Sequence, residues 1–200
     1  MYLPKVREIR EALASFFSAP YTSSFPKGGY TPPEEYRGFP KYHEEHCVGC
    51  GTCAQVCPNA AIEIIDDAEN GVRRLRVDYA SCMQCGQCTE KCITGLGIQP
   101  SDHYSLSVSD LKAPEVFETV EKNLVLCECC GEVIACRDHL HWIKERLGTK
   151  AYAHPNLMLS TQEEFFDLET SRPKERIRRE DFMKYVCAKC RQKVVLADEF

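Results

Sequence analysis

The sequence predicts an α+β fold in four segments: an N-terminal amphipathic helix and arm, a small core built on cysteine loops, a connector and a cysteine-rich tail. Three observations predict it. Cysteine supplies 14 of the 200 residues, far more than a soluble chain of ordinary composition needs. One cysteine pattern recurs after 35 residues. Apolar periodicity also changes along the chain, from helical spacing at the start to strand-like runs around a turn further on.

The helix is expected over residues 3–17. Leu3, Val6, Ile9, Leu13, Phe16 and Phe17 fall on one stripe, with Lys5, Arg7, Glu8, Arg10 and Glu11 elsewhere. Pro4 suits a first turn and Pro20 ends the pattern. Residues 21–44 follow, broken by Pro26, Gly28, Gly29, Pro32, Pro33, Gly38 and Pro40. Tyr21, Phe25, Tyr30, Tyr36, Phe39 and Tyr42 make this stretch too aromatic for a free linker. It reads as an arm pinned to something, a neighbouring chain being one choice. Residues 1–44 are therefore expected to serve assembly and to be dispensable for building the core.

Residues 45–100 hold the repeat. Cys47, Cys50, Cys53 and Cys57 return as Cys82, Cys85, Cys88 and Cys92. Between the halves, Ala61–Ile65 and Val72–Val77 flank a polar turn ending in Asn70-Gly71, which predicts a hairpin. Residues 101–123 read as a connector, with a short strand near Tyr104–Val108 and a helix near Pro114–Val120 started by Asp110. The tail, 124–200, opens on the strand-like NLVLC. It then predicts a helix over Arg137–Leu147 closed by Gly148, a charged helix over Pro173–Val186, and a strand at VVL.

Charge and composition exclude some classes. With 25 basic and 30 acidic side chains the net charge is -5, which argues against a strongly basic nucleic-acid binder. Apolar runs such as Ala60–Ile65 are far too short to span a bilayer. The opening MYLPKVREIREALASFF lacks the continuous apolar core of an export signal, so a reducing compartment is expected. Closely spaced thiols in such a compartment are metal ligands more often than disulfides.

Two runs of C-x2-C-x2-C-x3-C form the strongest signal. Three thiolates at this spacing wrap a loop around one [4Fe–4S] cubane and leave one iron for a fourth ligand. Two quartets related by one shift do not suit zinc, which takes two pairs. Gly49, Gly51, Thr52 and Gly86 let the loops turn backbone N–H groups inward, or simply keep the loops tight.

This segment resembles the bacterial dicluster ferredoxin fold. In that family the fourth cysteine of each run ligates the other cluster. The resemblance thus implies one cluster on Cys47, Cys50, Cys53 and Cys92, and a second on Cys82, Cys85, Cys88 and Cys57. Pro58 after Cys57 fits the family pattern; Ile93 and Thr94-Gly95 after Cys92 depart from it, so the second turn is expected to differ.

With the helix and arm included, YRGFPKYHEEHCVGCGTCAQVCP and its Arg37-Gly38 pair resemble the two-cluster hydrophilic subunit of respiratory complex I. They also resemble the matching subunit of complex I-like membrane-bound [NiFe] hydrogenases, including formate hydrogenlyase. The tail, YSLSVSDLK…LVLCECC…CAKCRQK, is similar to an extension found in the hydrogenase branch. The resemblance implies an electron-transfer subunit with no catalytic centre of its own, peripheral on the cytoplasmic face of a membrane. Its implied partners are neighbouring iron–sulfur and hydrogenase or quinone-reductase-like subunits. A free-standing ferredoxin with a zinc-stapled tail and a cluster-sensing zinc-ribbon regulator are the other classes.

Cys127-x2-Cys130 and Cys187-x2-Cys190 read as two knuckles of a zinc-ribbon-like site, a third iron site or unligated thiols being the alternatives. Cys129 offers another choice of ligand and Cys136 is a spare. His139 and His141 are weaker candidates, expected on an exposed helix face. The run Arg172, Lys174, Arg176, Arg178 and Arg179 reads as a solvated helix or a subunit contact. Arg73, Arg74 and Arg76 are expected to meet an acidic partner, to favour cluster reduction, or simply to face solvent. No nucleotide-binding glycine motif and no nucleophile–base set is evident.

Overall fold

The computed structural model describes residues 5–19, 22, 31–33, 35–165 and 183–196. The chain divides into two units, Met1–Glu34 and Glu35–Phe200. In the first, helix α1 (Val6–Phe17) forms where the apolar stripe predicted it. Its Glu8 carboxylate accepts the Lys5 backbone N–H at 3.0 Å, half of a capping arrangement. Val6, Ile9, Leu13, Phe16 and Phe17 are all exposed along it. Leu3, Pro4, Tyr21, Phe25 and Tyr30 lie outside the described residues.

The second unit is organised by a hairpin. Strands β2 (Ile62–Asp67) and β3 (Val72–Asp78) pair antiparallel, with Ile62 opposite Val77 and Asp67 opposite Val72. The Asp67 carboxylate accepts the N–H groups of Glu69 and Asn70 and so shapes the turn. Leu75 and Val77 point into the core, while the arginines of β3 carry charge across the ladder. Arg73 faces Asp66, Arg76 faces Glu63, and Arg74 faces Glu121 on the other neighbouring strand. All three arginines, for which an acidic partner is one of the three expected roles, thus find carboxylates within the fold.

That other strand is the main departure from the expected connector. A 3-10 turn occupies only Pro114–Val116, and strand β5 (Phe117–Leu126) follows directly. It pairs antiparallel with β3, Leu75 opposite Val120, and buries Val120, Leu124 and Val125. The helix expected through Val120 gives way because Phe117, Thr119 and Val120 satisfy the free edge of β3. No strand forms at Tyr104–Val108. Beyond β5, strand β6 (Val133–Cys136) completes a four-stranded sheet of order β2-β3-β5-β6. One strand, β5, therefore runs from the connector into the tail and joins β3 of the cysteine-repeat half to β6.

The arm is also partly structured. Strand β1 (Pro40–Tyr42) pairs with strand β4 (Ile98–Pro100), Tyr42 opposite Ile98. Phe39 and Tyr42 are buried, the Phe39 and Tyr79 rings lie 4.7 Å apart, and the Tyr79 hydroxyl donates to the Pro40 carbonyl at 3.0 Å. Gly38 is needed here: a β-carbon would sit 2.3 Å from the Ser101 carbonyl oxygen. The end of the expected assembly arm is thus pinned to this chain's own core. Removing residues 1–44 would cut into that core, contrary to the expectation that the segment is dispensable.

In the tail, helix α4 (Arg137–Leu147) runs as predicted to a Gly148 cap with φ 55°. Helix α5 (Pro155–Phe165) is an element that the sequence pattern does not predict, although Pro155 is well placed for a first turn. The strand expected at VVL is instead part of helix α6 (Ala188–Leu196). The turn between Cys187 and Cys190 continues as helix, and its buried face carries Cys190 and Val194, four residues apart. The expected helix over Pro173–Val186 and its basic run lie largely outside the described residues. No helix among the described residues is long and apolar enough to cross a membrane.

Candidate metal centres

The two halves of the cysteine repeat adopt the same local turn. Short helices α2 (Thr52–Gln55) and α3 (Gln87–Glu90) each follow a left-handed glycine, Gly51 with φ 77° and Gly86 with φ 76°. Any other residue at either position would be strained. Gly51 has a second constraint, because a β-carbon there would meet Ile64 at 2.6 Å. The turn presents the first three thiols of each run to one side. The fourth, after the short helix, is carried away from its own loop.

The consequence is a crossed arrangement. One pocket is lined by Cys47, Cys50 and Cys53 together with Cys92. Another is lined by Cys82, Cys85 and Cys88 together with Cys57. These are the two sets expected from the ferredoxin resemblance. Each gathers four thiols around one pocket without drawing them into the close group that a single ion takes, so the donor sets fit [4Fe–4S] clusters.

The surroundings of the thiols are donors. The Ala61 N–H lies 3.3 Å from Cys57 Sγ and the Gln84 N–H 3.4 Å from Cys82 Sγ. The Tyr42 hydroxyl sits 3.5 Å from Cys53 Sγ. Burial pushes Cys53 up to about 11, and raises Cys47, Cys82 and Cys88 as well. Cys92 goes the other way. Burial raises it, but hydrogen bonds from Thr94 and from the Gly97 and Ile98 backbone outweigh burial. Thr94 therefore fills the departure from the Cys-Pro pattern with a hydroxyl, 3.3 Å from Cys92 Sγ. At the second loop Arg37 donates to the Cys85 carbonyl at 3.2 Å.

The tail forms a tighter site. The sulfurs of Cys127, Cys130, Cys187 and Cys190 all lie within 4.8 Å of one another, the one such group among the described residues. Cys130 and Cys187 are 3.8 Å apart. Ligands at a zinc–sulfur distance of roughly 2.3 Å on a tetrahedron would be separated by roughly this much. The Cys187 N–H donates to Cys127 Sγ at 3.3 Å. Backbone N–H groups outweigh burial at Cys127 and bring it to about 7; burial and the crowding of thiols raise Cys187 and Cys190. Cys129 packs beside the four without joining them. His139 and His141 are not among them either.

Cys136 is not idle. It is fully buried, is pushed up to about 11 by burial, and donates from Sγ to the Gly49 carbonyl at 3.3 Å. Its position immediately before α4 and at the end of a strand-like run was the only sequence signal that could have marked it.

Fold and thiol pockets together define a two-cluster ferredoxin-type protein. The 4Fe-4S dicluster domain family matches residues 46–96. An NADH-quinone oxidoreductase subunit I of Geobacter metallireducens is 31% identical over 100 residues, covering 46% of this chain and 76% of that protein. A subunit of the same name from Streptomyces coelicolor is 32% identical over 85 residues, 36% of this chain and 43% of that protein. A chain of the membrane-bound sulfane sulfur reductase, an archaeal respiratory membrane complex, aligns over 55% of this chain and 59% of its own length, with 27% identity and a TM-score of 0.40. The chain belongs to the NADH-quinone oxidoreductase subunit I family, the two-cluster subunit of complex I-like assemblies. It spans three quarters of the Geobacter protein and less than half of the Streptomyces one.

Proposed function

We propose that this chain relays single electrons through two [4Fe–4S] clusters inside a membrane-associated, complex I-like hydrogenase or dehydrogenase, without a catalytic centre of its own. The observation that carries the proposal is the crossed pair of thiol pockets within a chain of the subunit I family. The ligands are Cys47, Cys50, Cys53 and Cys92 for the first cluster and Cys82, Cys85, Cys88 and Cys57 for the second. What the clusters supply is reversible uptake of one electron. The chain's residues hold the irons, exclude water and direct N–H and hydroxyl donors at the sulfurs.

The remaining segments support this role. Helix α1, with its exposed apolar stripe, docks on a neighbouring subunit at the cytoplasmic face of the membrane, and residues up to 34 belong to that assembly element. Residues 35–44 lead into the 45–100 cluster domain, 101–123 connect, and 124–200 form a tail held by zinc at Cys127, Cys130, Cys187 and Cys190. Neighbouring iron–sulfur and hydrogenase or quinone-reductase-like subunits pass electrons in and out. The tail is the feature that favours the hydrogenase branch.

The test is anaerobic reconstitution of the full chain, with iron and acid-labile sulfide measured. Eight of each, beyond any iron in the tail, is the expected result; four would refute the relay. Cys57→Ser separates the crossed map from an uncrossed one. It should alter the cluster held by Cys82, Cys85 and Cys88 and leave the other spectroscopically intact.

A further inference from the structure

The two cluster loops are gripped differently. At the first, the Gly49 carbonyl lies between Cys47 and Cys50 and accepts two hydrogen bonds from outside the loop. Arg73 Nη1 donates at 3.0 Å, from the middle of the sheet, and Cys136 Sγ donates at 3.3 Å, from the tail. The fit leaves no slack. Gly49 has φ +69°, and a β-carbon on it would come within 2.6 Å of Cys136 Sγ and 3.1 Å of the Lys122 β-carbon. Arg73 is itself fixed, donating from Nε and Nη2 to both Asp66 oxygens at 2.7 and 2.8 Å. Lys122 joins from β5, donating to the Glu44 carbonyl at 2.6 Å and to Asp138 at 2.9 Å.

The charges are arranged unevenly. The side chains of Arg73 and Lys122 are 15% and 10% exposed; their partners Asp66 and Asp138 are 29% and 48% exposed. The cations therefore lie on the protein side of each pair and the carboxylates toward water, where solvent screens them. At the second loop the corresponding donor, Arg37, is an exposed side chain. Positive charge and hydrogen bonds held in a low-dielectric setting favour the more negative, reduced form of a cluster.

We propose that Arg73 and Cys136 are positioning residues that clamp the Gly49 carbonyl and raise the reduction potential of the group held by Cys47, Cys50, Cys53 and Cys92, making the two relay sites inequivalent. This rests on the two-cluster reading above. It gives the tail a part in the relay, since Cys136 reaches the loop from the end of β6.

The experiment is an EPR-monitored redox titration of the reconstituted full chain, with the two signals assigned through Cys57→Ser. Arg73→Gln should move the first midpoint to lower potential and leave the second where it was. Cys136→Ala should move it in the same direction by less, and Cys136→Ser, which restores a donor, should return it to the wild-type value. Loss of the first cluster alone in Arg73→Gln would support the same clamp. Equal shifts at both sites, an upward shift, loss of both clusters, or no shift in any variant would overturn it. The two readings fail separately. A wild-type chain with four irons refutes the relay, whereas eight irons and two unmoved signals refute only the clamp.

Discussion

The cluster half and the tail both gather cysteines, but they do so on opposite plans. In residues 45–100 the thiols that share a pocket come three at a time from one short loop, with a fourth from the other half of the repeat. In the tail they come two at a time, from turns whose nearest thiols, Cys130 and Cys187, are separated by 57 residues. The first plan builds pockets with closely spaced sequence; the second brings four sulfurs within 4.8 Å using distant sequence. The size of the group each region fits follows from this difference, and so does the dependence of the fold on that group. The cluster half has Leu75, Val77, Ile98, Phe39 and Val120 packed between its loops. The cluster of buried residues around the tail site consists of Val186 and three of the thiols themselves.

The sharpest way to break this comparison is to remove the zinc proposed for the tail. Metal binding and folding are coupled where ligands supply much of the core. A chelator that takes zinc but spares the clusters should abolish amide protection through α6 and the Cys127–Gly131 turn, a loss of several kcal/mol of local stability. Strands β2 and β3 should keep theirs. Hydrogen exchange on the full chain reads both regions at once. If α6 stays protected after metal loss, the four thiols are not the staple that the contrast requires.

Phe39→Ala probes the other side. Phe39 packs on Tyr79 and His103 beside the β1–β4 pair. Truncating a buried phenylalanine costs about 3–5 kcal/mol. The expected outcome is a marked fall in iron incorporated on reconstitution. Deleting residues 1–34, which form a separate unit, should leave the iron content at its full value. A full complement of iron in Phe39→Ala would return the arm to the purely assembly role that its composition suggests.

What was legible in the sequence tracks how local each feature is. The eight thiols of the repeat, the hairpin and the α4 stop at Gly148 are written in residues a few positions apart. The VVL strand misleads because β-branched residues there follow a knuckle that continues as helix, and the buried face of that helix decides the outcome. Only the end of strand β5, at NLVLC, is legible in the sequence; its first half is hidden because its partner, the open edge of β3, is some 45 residues away in the chain: Leu75 faces Val120. Phe39 and Tyr42 were seen as aromatics needing a home, but composition cannot say whether that home is this chain or another. Cys136 looked spare for the same reason. Its partner is a backbone carbonyl in another segment, and no side-chain pattern records a carbonyl.

The finest test lies between the two halves of the repeat. Cys57 is followed by Pro58, whose ring fixes the backbone of its turn; Cys92 is followed by Ile93 and Thr94, and the Thr94 hydroxyl does the work instead. It accepts the Gly97 N–H at 3.0 Å while lying 3.3 Å from Cys92 Sγ. Thr94→Val keeps the branched shape and removes the oxygen. A single neutral hydrogen bond is worth about 1 kcal/mol net. The Gly97 amide should therefore exchange about fivefold faster, while amides in β2 are unchanged. The iron content should stay full, since the proline-bearing half shows that the turn has more than one solution. Loss of the first cluster in Thr94→Val would instead make the hydroxyl indispensable, and the two halves would then differ in how they hold their ligands as well as in how they shape the turn.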